Sequence, residues 1–334
     1  MDKIVLTTNL NDGANLKAKL NNLDDAFSST EFCTQLNLKE NPSRFKNVKY
    51  IFSTWNMPLF SEDEIIAYFP SLIAVFYAAG TVKYFAKPFL NCGIKVFSAA
   101  TANAIPVAEF VTAQILLANK GYFQAQKAYK TPLWRFSFNK GRSYTNSKNG
   151  NYNAKVGIIG CGAIGSKVAE LLKPYHIEVW VYDPFISDEK ITALNIKLKE
   201  LDAIFSNCDV ITNHLPNIKE TKGIINWDVL SLLKDSATFI NTGRGEQIIE
   251  KDLAKAMRKK PNACALLDVT LKEPIRPWSA LLRKKNVFLT PHIAGSMSNE
   301  IDRMVSFMHT AYKNTINGIK DSSEVNRNQI NKQS

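Results

Sequence analysis

The chain has 334 residues, of which 45% are hydrophobic and 22% are charged, a composition typical of a globular protein with enough chain for two domains. No apolar run approaches the roughly 18 to 20 residues of a membrane span. The sequence opens directly into a strand-like segment at residues 4–6, so we expect no signal peptide. Its five cysteines are scattered and odd in number, which argues against a disulfide or metal framework. Composition therefore predicts a cytoplasmic protein that has no metal and contacts no membrane.

The formal net charge of +12 admits two interpretations. A basic domain attracts nucleic acid phosphates, but a Lys-rich surface also arises without such a partner. The lysines are dispersed, and the densest basic groups, residues 258–260 and 283–285, fall at expected helix ends. We therefore expect small anionic ligands and no nucleic acid partner.

Residues 1 to about 100 alternate strand and helix signals. Strand-like segments at residues 49–54, 72–77 and 94–97 are separated by helical segments. Ser61 and Glu64 have the spacing of a capping box that opens a helix over residues 65–68, and a second short helix runs from Val82 to a stop at Cys92 and Gly93. This βαβ pattern predicts a parallel sheet.

A long helix is predicted over residues 107–126, with Pro106 in its first turn. Its length is typical of an element that crosses between domains or packs against a second subunit. Residues 143–153 are rich in Ser, Asn and Gly and predict an exposed loop. A last helix is expected over residues 299–317, and the polar sequence beyond Lys320 is expected to fray.

A glycine-rich turn follows the β-branched segment at residues 156–159. Gly160, Gly162 and Gly165 form a GxGxxG pattern between this strand and a helix over residues 166–172. The first glycine permits the tight turn, the second lets a pyrophosphate approach the backbone, and the third lets helix and strand pack closely. Asp183 ends the next strand, at the offset of a carboxylate that binds the adenosine ribose. The unit predicts NAD binding, and Asp183 would repel the 2′-phosphate of NADP.

Polar residues recur where later predicted strands end. These strands cover residues 210–213, 237–240, 263–267 and 287–289. The residues that follow them are His214 and Pro216, then Thr242, Gly243 and Arg244, then Asp268, and finally His292. Open α/β sheets bind ligands beyond the carboxyl ends of their strands, so these side chains are expected along the dinucleotide.

Taken together, these segments are similar to the D-isomer-specific 2-hydroxyacid dehydrogenase family, which includes phosphoglycerate dehydrogenases. The segments that carry the resemblance are residues 160–165 with Asp183, 214–216 with Thr221, 241–245, 268–269 with 273–274, and 290–295. The resemblance implies an α/β fold of two Rossmann-like parallel-sheet domains, a flavodoxin-like substrate domain and an NAD-binding domain, with a cleft between them. It implies a discontinuous substrate domain at residues 1–103 and 300–334, and an NAD-binding domain at residues 104–299.

The resemblance also implies an activity, the interconversion of a D-2-hydroxy acid and its 2-oxo acid. Arg244 would bind the substrate carboxylate through its planar fork of donors. His292 would be the general acid and base, and Glu273 would orient its imidazole and favour the protonated form. The implied cofactor contacts are Gly160, Gly162, Ala163, Ile164, Gly165, Asp183, Pro216, Thr221, Thr242, Gly243 and Asp268, with His214 at the same edge.

The match is weaker in the first domain. The family commonly has a glycine-small-glycine turn after a strand, and its backbone N–H groups meet the substrate carboxylate. Here Ala78 replaces the first of these glycines, although a carboxylate nest is expected at Ala79 and Gly80. Tyr77, Lys83 and Tyr84 lie nearby in sequence and make the expected pocket unusual. The sequence therefore does not identify the side chain of the substrate.

Two other functions are alternatives to the dehydrogenase. A dinucleotide-sensing scaffold, like the corepressors that resemble this family, would keep much of the catalytic set, but we expect no long disordered tails in this chain. A formate dehydrogenase is disfavoured because that relative has glutamine at the position of Glu273. We expect a homodimer formed through the helix at residues 107–126.

Overall fold

The computed structural model describes residues 2–130, 134–327 and 330. Within them the chain divides into two compact units, which consist of Met1–Ala104 with Ser296–Ser334 (unit 1) and of Ile105–Gly295 (unit 2). The boundary between Ala104 and Ile105 falls inside a helix, so the chain passes from unit 1 to unit 2 without leaving that helix.

Unit 1 is built on a sheet of five parallel strands with helices in the connections. The strands are β1 (Lys3–Leu6), β2 (Glu31–Cys33), β3 (Tyr50–Ser53), β4 (Ala74–Tyr77) and β5 (Lys95–Ser98), and the intervening helices are α1 (Leu10–Leu23), α2 (Gln35–Glu40), α3 (Glu62–Tyr68) and α4 (Ala86–Asn91). The strand order is β2-β1-β3-β4-β5, the flavodoxin-like order. The predicted parallel sheet is therefore confirmed.

Helix α3 begins with the predicted capping box. The Glu64 backbone N–H donates to Ser61 Oγ at 3.2 Å, and Glu64 Oε2 accepts the Ser61 backbone N–H at 2.9 Å. Two N–H groups that have no partner inside the helix are satisfied in this way.

The predicted long helix over residues 107–126 is wrong at both ends. Helix α5 (Ala100–Ala118) begins earlier, so Pro106 lies inside it, and α6 (Tyr122–Tyr129) is a separate helix. Gly121, with φ of 68°, breaks the two apart because the left-handed backbone cannot continue a helix. Helix α7 (Trp134–Asn146) also extends into the segment predicted as an exposed loop at residues 143–153.

By length and composition α5 could also cross a membrane. A buried core helix meets the same criteria. Val107, Val111 and Ile115 have no or little exposed surface and pack in a core cluster of unit 2, so we describe α5 as a core helix.

Unit 2 is a sheet of seven parallel strands. The strands are β6 (Lys155–Ile159), β7 (Glu178–Tyr182), β8 (Lys197–Leu198), β9 (Val210–Asn213), β10 (Thr238–Asn241), β11 (Cys264–Leu267) and β12 (Val287–Leu289), and the helices among them are α8 (Ala163–Leu172), α9 (Asp188–Leu194), α10 (Leu201–Asn207), α11 (Trp227–Leu230) and α12 (Glu250–Lys259). The order β12-β11-β10-β9-β6-β7-β8 reverses direction between β6 and β9, as in dinucleotide-binding sheets.

The register of this sheet aligns the strand ends. Ile159 pairs with Asn213, Asn213 with Asn241, Asn241 with Leu267, and Leu267 with Leu289. The residues that follow these five positions therefore leave the sheet along one edge, as predicted from the sequence pattern.

The last helix, α13 (Glu300–Ile316), packs within unit 1 through Met304, Val305 and Met308. The predicted fraying beyond Lys320 is wrong for the segment that follows. The Val325 backbone N–H donates to the Val96 carbonyl at 2.8 Å, because the edge strand β5 offers unpaired backbone groups. Residues 328–329 and 331–334, for which fraying was also predicted, lie outside the described residues.

Candidate active site

The three glycines of the turn after β6 have different surroundings. A Cβ at Gly160 would lie 2.9 Å from the His214 carbonyl carbon, and one at Gly165 would lie 2.1 Å from the Gly160 carbonyl oxygen. A Cβ at Gly162 would meet nothing within 4 Å. Gly160 and Gly165 are thus required for packing, whereas Gly162 faces open space at the N-terminus of α8. The first N–H groups of a helix have no partner inside it, so this end of α8 suits an anion.

Asp183 is tied to the glycine turn. Its Oδ2 accepts the Cys161 backbone N–H at 2.8 Å, and its Oδ1 accepts the Phe185 backbone N–H at 2.9 Å. Lys190 Nζ donates to the Cys161 carbonyl at 2.6 Å, so a cation that sequence reasoning missed also lies at this turn. Lys190 follows Asp183 by seven residues in the next helix, and only the fold brings it back to the turn.

Two buried polar atoms near the aligned strand ends have no hydrogen-bond partner among the described residues. They are Thr242 Oγ1 and His214 Nδ1. The Nε2 of His214 lies 3.0 Å from Thr212 Oγ1, and burial lowers the pKa of His214 to about 3, so the ring is neutral near pH 7. Unpaired buried polar atoms at the sheet edge that also carries the glycine turn fit a polar ligand such as NAD.

The predicted contacts Pro216 and Thr221 lie together in one turn. Thr221 Oγ1 donates to the Pro216 carbonyl at 2.6 Å and accepts the Ile218 backbone N–H at 3.1 Å. These bonds fix the shape of the segment after β9 and occupy the Thr221 hydroxyl.

Arg244 leaves the sheet after β10. Its side chain donates from Nη1 to the Gly243 carbonyl at 2.8 Å, and no carboxylate in the described part of the chain lies within 4 Å of its guanidinium. Burial lowers the pKa of Arg244, while the charge of Glu273 opposes that shift. Arginine stays protonated in proteins, so a partly buried cation without an ion-pair partner remains available to an anionic ligand.

His292 and Glu273 are brought together by the fold. His292 Nδ1 lies 2.8 Å from Glu273 Oε2, and the two side chains are 50% and 41% exposed. The imidazole has a second nitrogen, Nε2, which has no hydrogen-bond partner among the described residues. A hydrogen bond from Nδ1–H to the carboxylate would leave Nε2 to exchange a proton with a ligand.

Asp268 holds the loop that carries His292. Its Oδ1 accepts the Thr290 hydroxyl at 2.6 Å and the Ile293 backbone N–H at 2.9 Å, while its Oδ2 accepts the Ala294 backbone N–H at 2.9 Å. The His292 backbone N–H donates to the Asp268 carbonyl at 3.0 Å. Asp268 is 3% exposed, so this carboxylate has a structural task that the sequence pattern did not predict.

In unit 1, the loop after β4 presents a run of unpaired donors. The backbone N–H groups of Ala79, Gly80, Thr81 and Val82 have no acceptor among the described residues. Ala79 and Val82 have no exposed surface, and buried N–H groups are nearly always paired. Successive N–H groups of this kind form an anion-binding concavity.

Two tyrosines flank this loop. The hydroxyl groups of Tyr77 and Tyr84 lie 2.9 Å apart, and either can be the donor. Burial raises the pKa of Tyr77, so its phenol stays neutral. Tyr84 is 47% exposed and gives the loop an aromatic surface.

The sheet order of unit 2, its glycine turn and its polar strand ends define a dinucleotide-binding α/β protein. The chain belongs to the D-isomer specific 2-hydroxyacid dehydrogenase family, because residues 112–294 match that family's NAD binding domain. The predicted family, two-domain parallel-sheet fold and cofactor NAD are thereby confirmed.

Relatives with known names agree with this family. The chain is 35% identical over 204 residues to D-3-phosphoglycerate dehydrogenase of Archaeoglobus fulgidus, a match that covers 61% of this chain and 37% of the relative. It is 33% identical over 239 residues to D-3-phosphoglycerate dehydrogenase of Haemophilus influenzae, covering 70% of this chain and 56% of the relative. The chain thus spans between about a third and just over half of these relatives.

Solved structures show the same fold along nearly the whole chain. The NAD complex of D-isomer specific 2-hydroxyacid dehydrogenase from Lactobacillus delbrueckii ssp. bulgaricus has a TM-score of 0.77 at 20% identity, covering 97% of this chain and 100% of that one. The D-mandelate dehydrogenase of Rhodotorula graminis has a TM-score of 0.78 at 17% identity, covering 98% of each chain.

Proposed function

We propose that this protein is an NAD-dependent dehydrogenase that interconverts a D-2-hydroxy acid and its 2-oxo acid. The observation that carries the proposal is the hydrogen bond between His292 and Glu273 in the same unit as an unpaired, partly buried Arg244. A proton-transfer group and a carboxylate-binding cation are the two parts that a 2-hydroxy acid requires from the protein.

NAD, when bound, supplies the redox chemistry at the 2-carbon of the substrate. The residues of the chain would bind and orient the cofactor and the substrate. The Gly160–Gly165 turn and the N-terminus of α8 would hold the pyrophosphate, and Asp183 would accept hydrogen bonds from the adenosine ribose. Thr242 Oγ1 and His214 Nδ1 are unpaired buried atoms available for further polar contacts.

In the direction of reduction, Arg244 binds the carboxylate and polarises the adjacent carbonyl. His292 Nε2 donates its proton to the substrate oxygen as that oxygen gains negative charge. Glu273 Oε2 accepts from Nδ1, which fixes the orientation of the imidazole. In the direction of oxidation, Nε2 accepts the hydroxyl proton.

The loop after β4 supports a carboxylate as the recognised group. We assign Ala79 and Gly80 to substrate binding, as part of the four successive N–H groups that lack acceptors in the described residues. Their backbone N–H groups are donors that suit a carboxylate. The homodimer and the cytoplasmic location stay predictions, and the corepressor-like alternative finds no support among the relatives described above.

The test is a panel of 2-oxo acids incubated with purified protein and NADH, with loss of reduced nicotinamide followed by absorbance. The reverse reaction uses NAD with D- and L-2-hydroxy acids in parallel. We expect turnover of at least one 2-oxo acid and preference for the D-hydroxy acid. His292→Ala should lower turnover by roughly 10²- to 10⁴-fold. His176→Ala is its matched control, since His176 lies just before β7 and not at the aligned strand ends. Preference for L-hydroxy acids, or equal loss in both variants, would contradict the proposal.

A further inference from the structure

Three amide side chains form a buried network beneath the segment that presents Arg244. Asn213 ends β9, Asn241 ends β10, and Gln247 lies in the turn that follows Arg244. None of the three has any exposed surface. A polar side chain in such a position is stable only when its donors and acceptors are paired.

Gln247 joins two loops. Its Oε1 accepts the Arg244 backbone N–H at 3.1 Å and Asn213 Nδ2 at 2.6 Å. Its Nε2 donates to the carbonyls of Leu215 at 2.7 Å and Pro216 at 3.0 Å. Both lone pairs and both hydrogens of the amide are therefore used, and the segment after β9 is tied to the segment after β10.

Asn213 and Asn241 complete the network. Asn241 Oδ1 accepts Asn213 Nδ2 at 2.9 Å and the Gly243 backbone N–H at 3.1 Å, and Asn241 Nδ2 donates to the Arg244 carbonyl at 3.3 Å. Both backbone polar groups of Arg244 are thus held by side-chain amides, one from Gln247 and one from Asn241.

The guanidinium depends on the same backbone. Its hydrogen bond in the described structure is from Nη1 to the Gly243 carbonyl at 2.8 Å. A rotation of the peptide between Gly243 and Arg244 would move the carbonyl that accepts this bond and would turn the Arg244 N–H away from Gln247. The amide network therefore fixes the peptide whose carbonyl the guanidinium contacts.

We propose that Gln247 and Asn213 are positioning residues that set the direction of the Arg244 side chain and, through it, the affinity for the substrate carboxylate. The inference rests on the proposed function, in which Arg244 binds that carboxylate. A displacement of a few tenths of an ångström weakens a bidentate pair, since both of its hydrogen bonds depend on the angle of the fork.

The experiment compares Gln247→Glu, Gln247→Met and Asn213→Ser with the wild-type protein. Gln247→Glu keeps the shape of the side chain but places a carboxylate oxygen opposite the Leu215 and Pro216 carbonyls. Asn213→Ser is milder, because it removes donors to Gln247 and Asn241 and leaves those two residues in place. Gln126→Met is the control, because Gln126 is an exposed residue of α6.

With NADH saturating, the KM of the 2-oxo acid should rise about tenfold or more in the Gln247 variants, with a smaller change in kcat. The affinity for NADH should fall less than the affinity for the 2-oxo acid, whereas a general loss of structure would lower both equally. Hydrogen exchange of the folded protein should be faster in the two segments that Gln247 ties together, residues 214–216 and 243–247, and not elsewhere in unit 2. Asn213→Ser should have an intermediate effect, and Gln126→Met none.

The alternatives give different results. If the enzyme is active and the Gln247 variants have an unchanged KM, this inference is wrong while the proposed function still stands. Equal losses in KM, NADH affinity and overall protection, or failure of both Gln247→Met and Asn213→Ser to fold, would assign the network to the fold and also overturn the inference. A wild-type protein that turns over no 2-oxo acid would overturn the proposed function, and this inference with it.

Discussion

The Nδ1 atom of His292 lies 2.8 Å from Oε2 of Glu273, although 19 residues separate them in sequence. His292 stands in the loop after β12 and Glu273 in the segment after β11, so two adjacent parallel strands deliver the pair to one edge of the sheet. Because Nδ1 is engaged, Nε2 is the atom from which a proton can reach a ligand.

Replacing Glu273 by Ala should lower kcat more than replacing it by Gln. The Gln oxygen can still accept from Nδ1–H of His292, so the ring keeps its orientation, whereas Ala removes the acceptor altogether. The measurement is kcat with NADH saturating for the wild-type protein and both variants. Glu170→Gln, which removes a surface acid paired with Lys167, is the control. Equal kcat in Glu273→Ala and the wild-type protein would contradict the assigned role.

Replacing Arg244 by Ala should damage both substrate binding and turnover. A bidentate pair makes two charge-assisted hydrogen bonds of about 1.5–3 kcal/mol each. Their combined loss of about 4 kcal/mol corresponds to a fall in kcat/KM of roughly a thousandfold. Arg244→Lys should recover only a small part of the lost kcat/KM, since an ammonium group cannot form the planar fork of donors. Arg258→Ala removes an exposed arginine near the end of α12 and should leave kcat/KM unchanged. Near-normal KM in Arg244→Ala would count against carboxylate binding by this residue.

Local patterns carried most of the sequence-based predictions. The glycine turn and the Ser61 capping box each depend on residues within a few positions of one another, so the sequence shows the constraint directly. Each strand end is also a local signal, and the rule that parallel strands end at one edge aligns them. The break between α5 and α6 at Gly121 was missed because the apolar pattern continues across it. Pro106 is predicted in a first turn because proline is favoured there, whereas α5 begins six residues before it.

The sequence did not predict side-chain contacts between residues that are far apart in the chain. The bond between Asn213 and Gln247 spans 34 residues, and nothing local shows that two amides will meet under Arg244. Lys190 reaches the glycine turn only through the packing of α9. The polar segment around Val325 was expected to fray because its composition is that of a free tail, yet β5 supplies an edge to which it binds.

Asp268→Asn should lower both stability and turnover. The carboxylate accepts three hydrogen bonds from the loop at residues 290–294, and an amide group would place N–H donors opposite one of these N–H groups. Leaving buried donors unpaired costs about 1–3 kcal/mol, and the displaced loop carries His292. The measurements are urea unfolding and kcat. Asp252→Asn is the control, because Asp252 accepts the Trp227 backbone N–H away from this loop. It should cost stability without lowering kcat.

Asp183 should set the preference between the two nicotinamide cofactors. Its carboxylate is held at the glycine turn by the Cys161 N–H, so a 2′-phosphate on the adenosine ribose would meet a fixed negative charge. We expect NADH to bind more tightly than NADPH in a fluorescence titration, and Asp183→Ala to narrow the difference. Lys190, at the same turn, provides a cation that would favour NADPH once the carboxylate is gone. Tighter NADPH binding by the wild-type protein would contradict the assignment of Asp183.

His214 should make the protein less stable as the pH falls below neutrality. Burial lowers its pKa in the folded protein to about 3, whereas an unfolded chain has the ordinary histidine pKa of about 6.5. Between these two values the unfolded state binds a proton that the folded state does not, so protonation draws the equilibrium toward unfolding as pH decreases. Above about pH 6.5 neither state binds the proton and the effect vanishes.

The magnitude allows a direct measurement. One extra proton bound by the unfolded chain changes the free energy of unfolding by about 1.4 kcal/mol per pH unit, or roughly 3 kcal/mol between about pH 6.5 and pH 4.5. Carboxylates titrate in the same range, so the comparison must be with His214→Gln, which keeps a polar side chain near Thr212 but cannot take up the proton. Urea unfolding at a series of pH values should give a steeper decline for the wild-type protein than for the variant. The two curves should run parallel above neutrality, separated only by the cost of the substitution. Parallel curves down to low pH would mean that His214 is protonated without unfolding, and that the ring is not held neutral by burial.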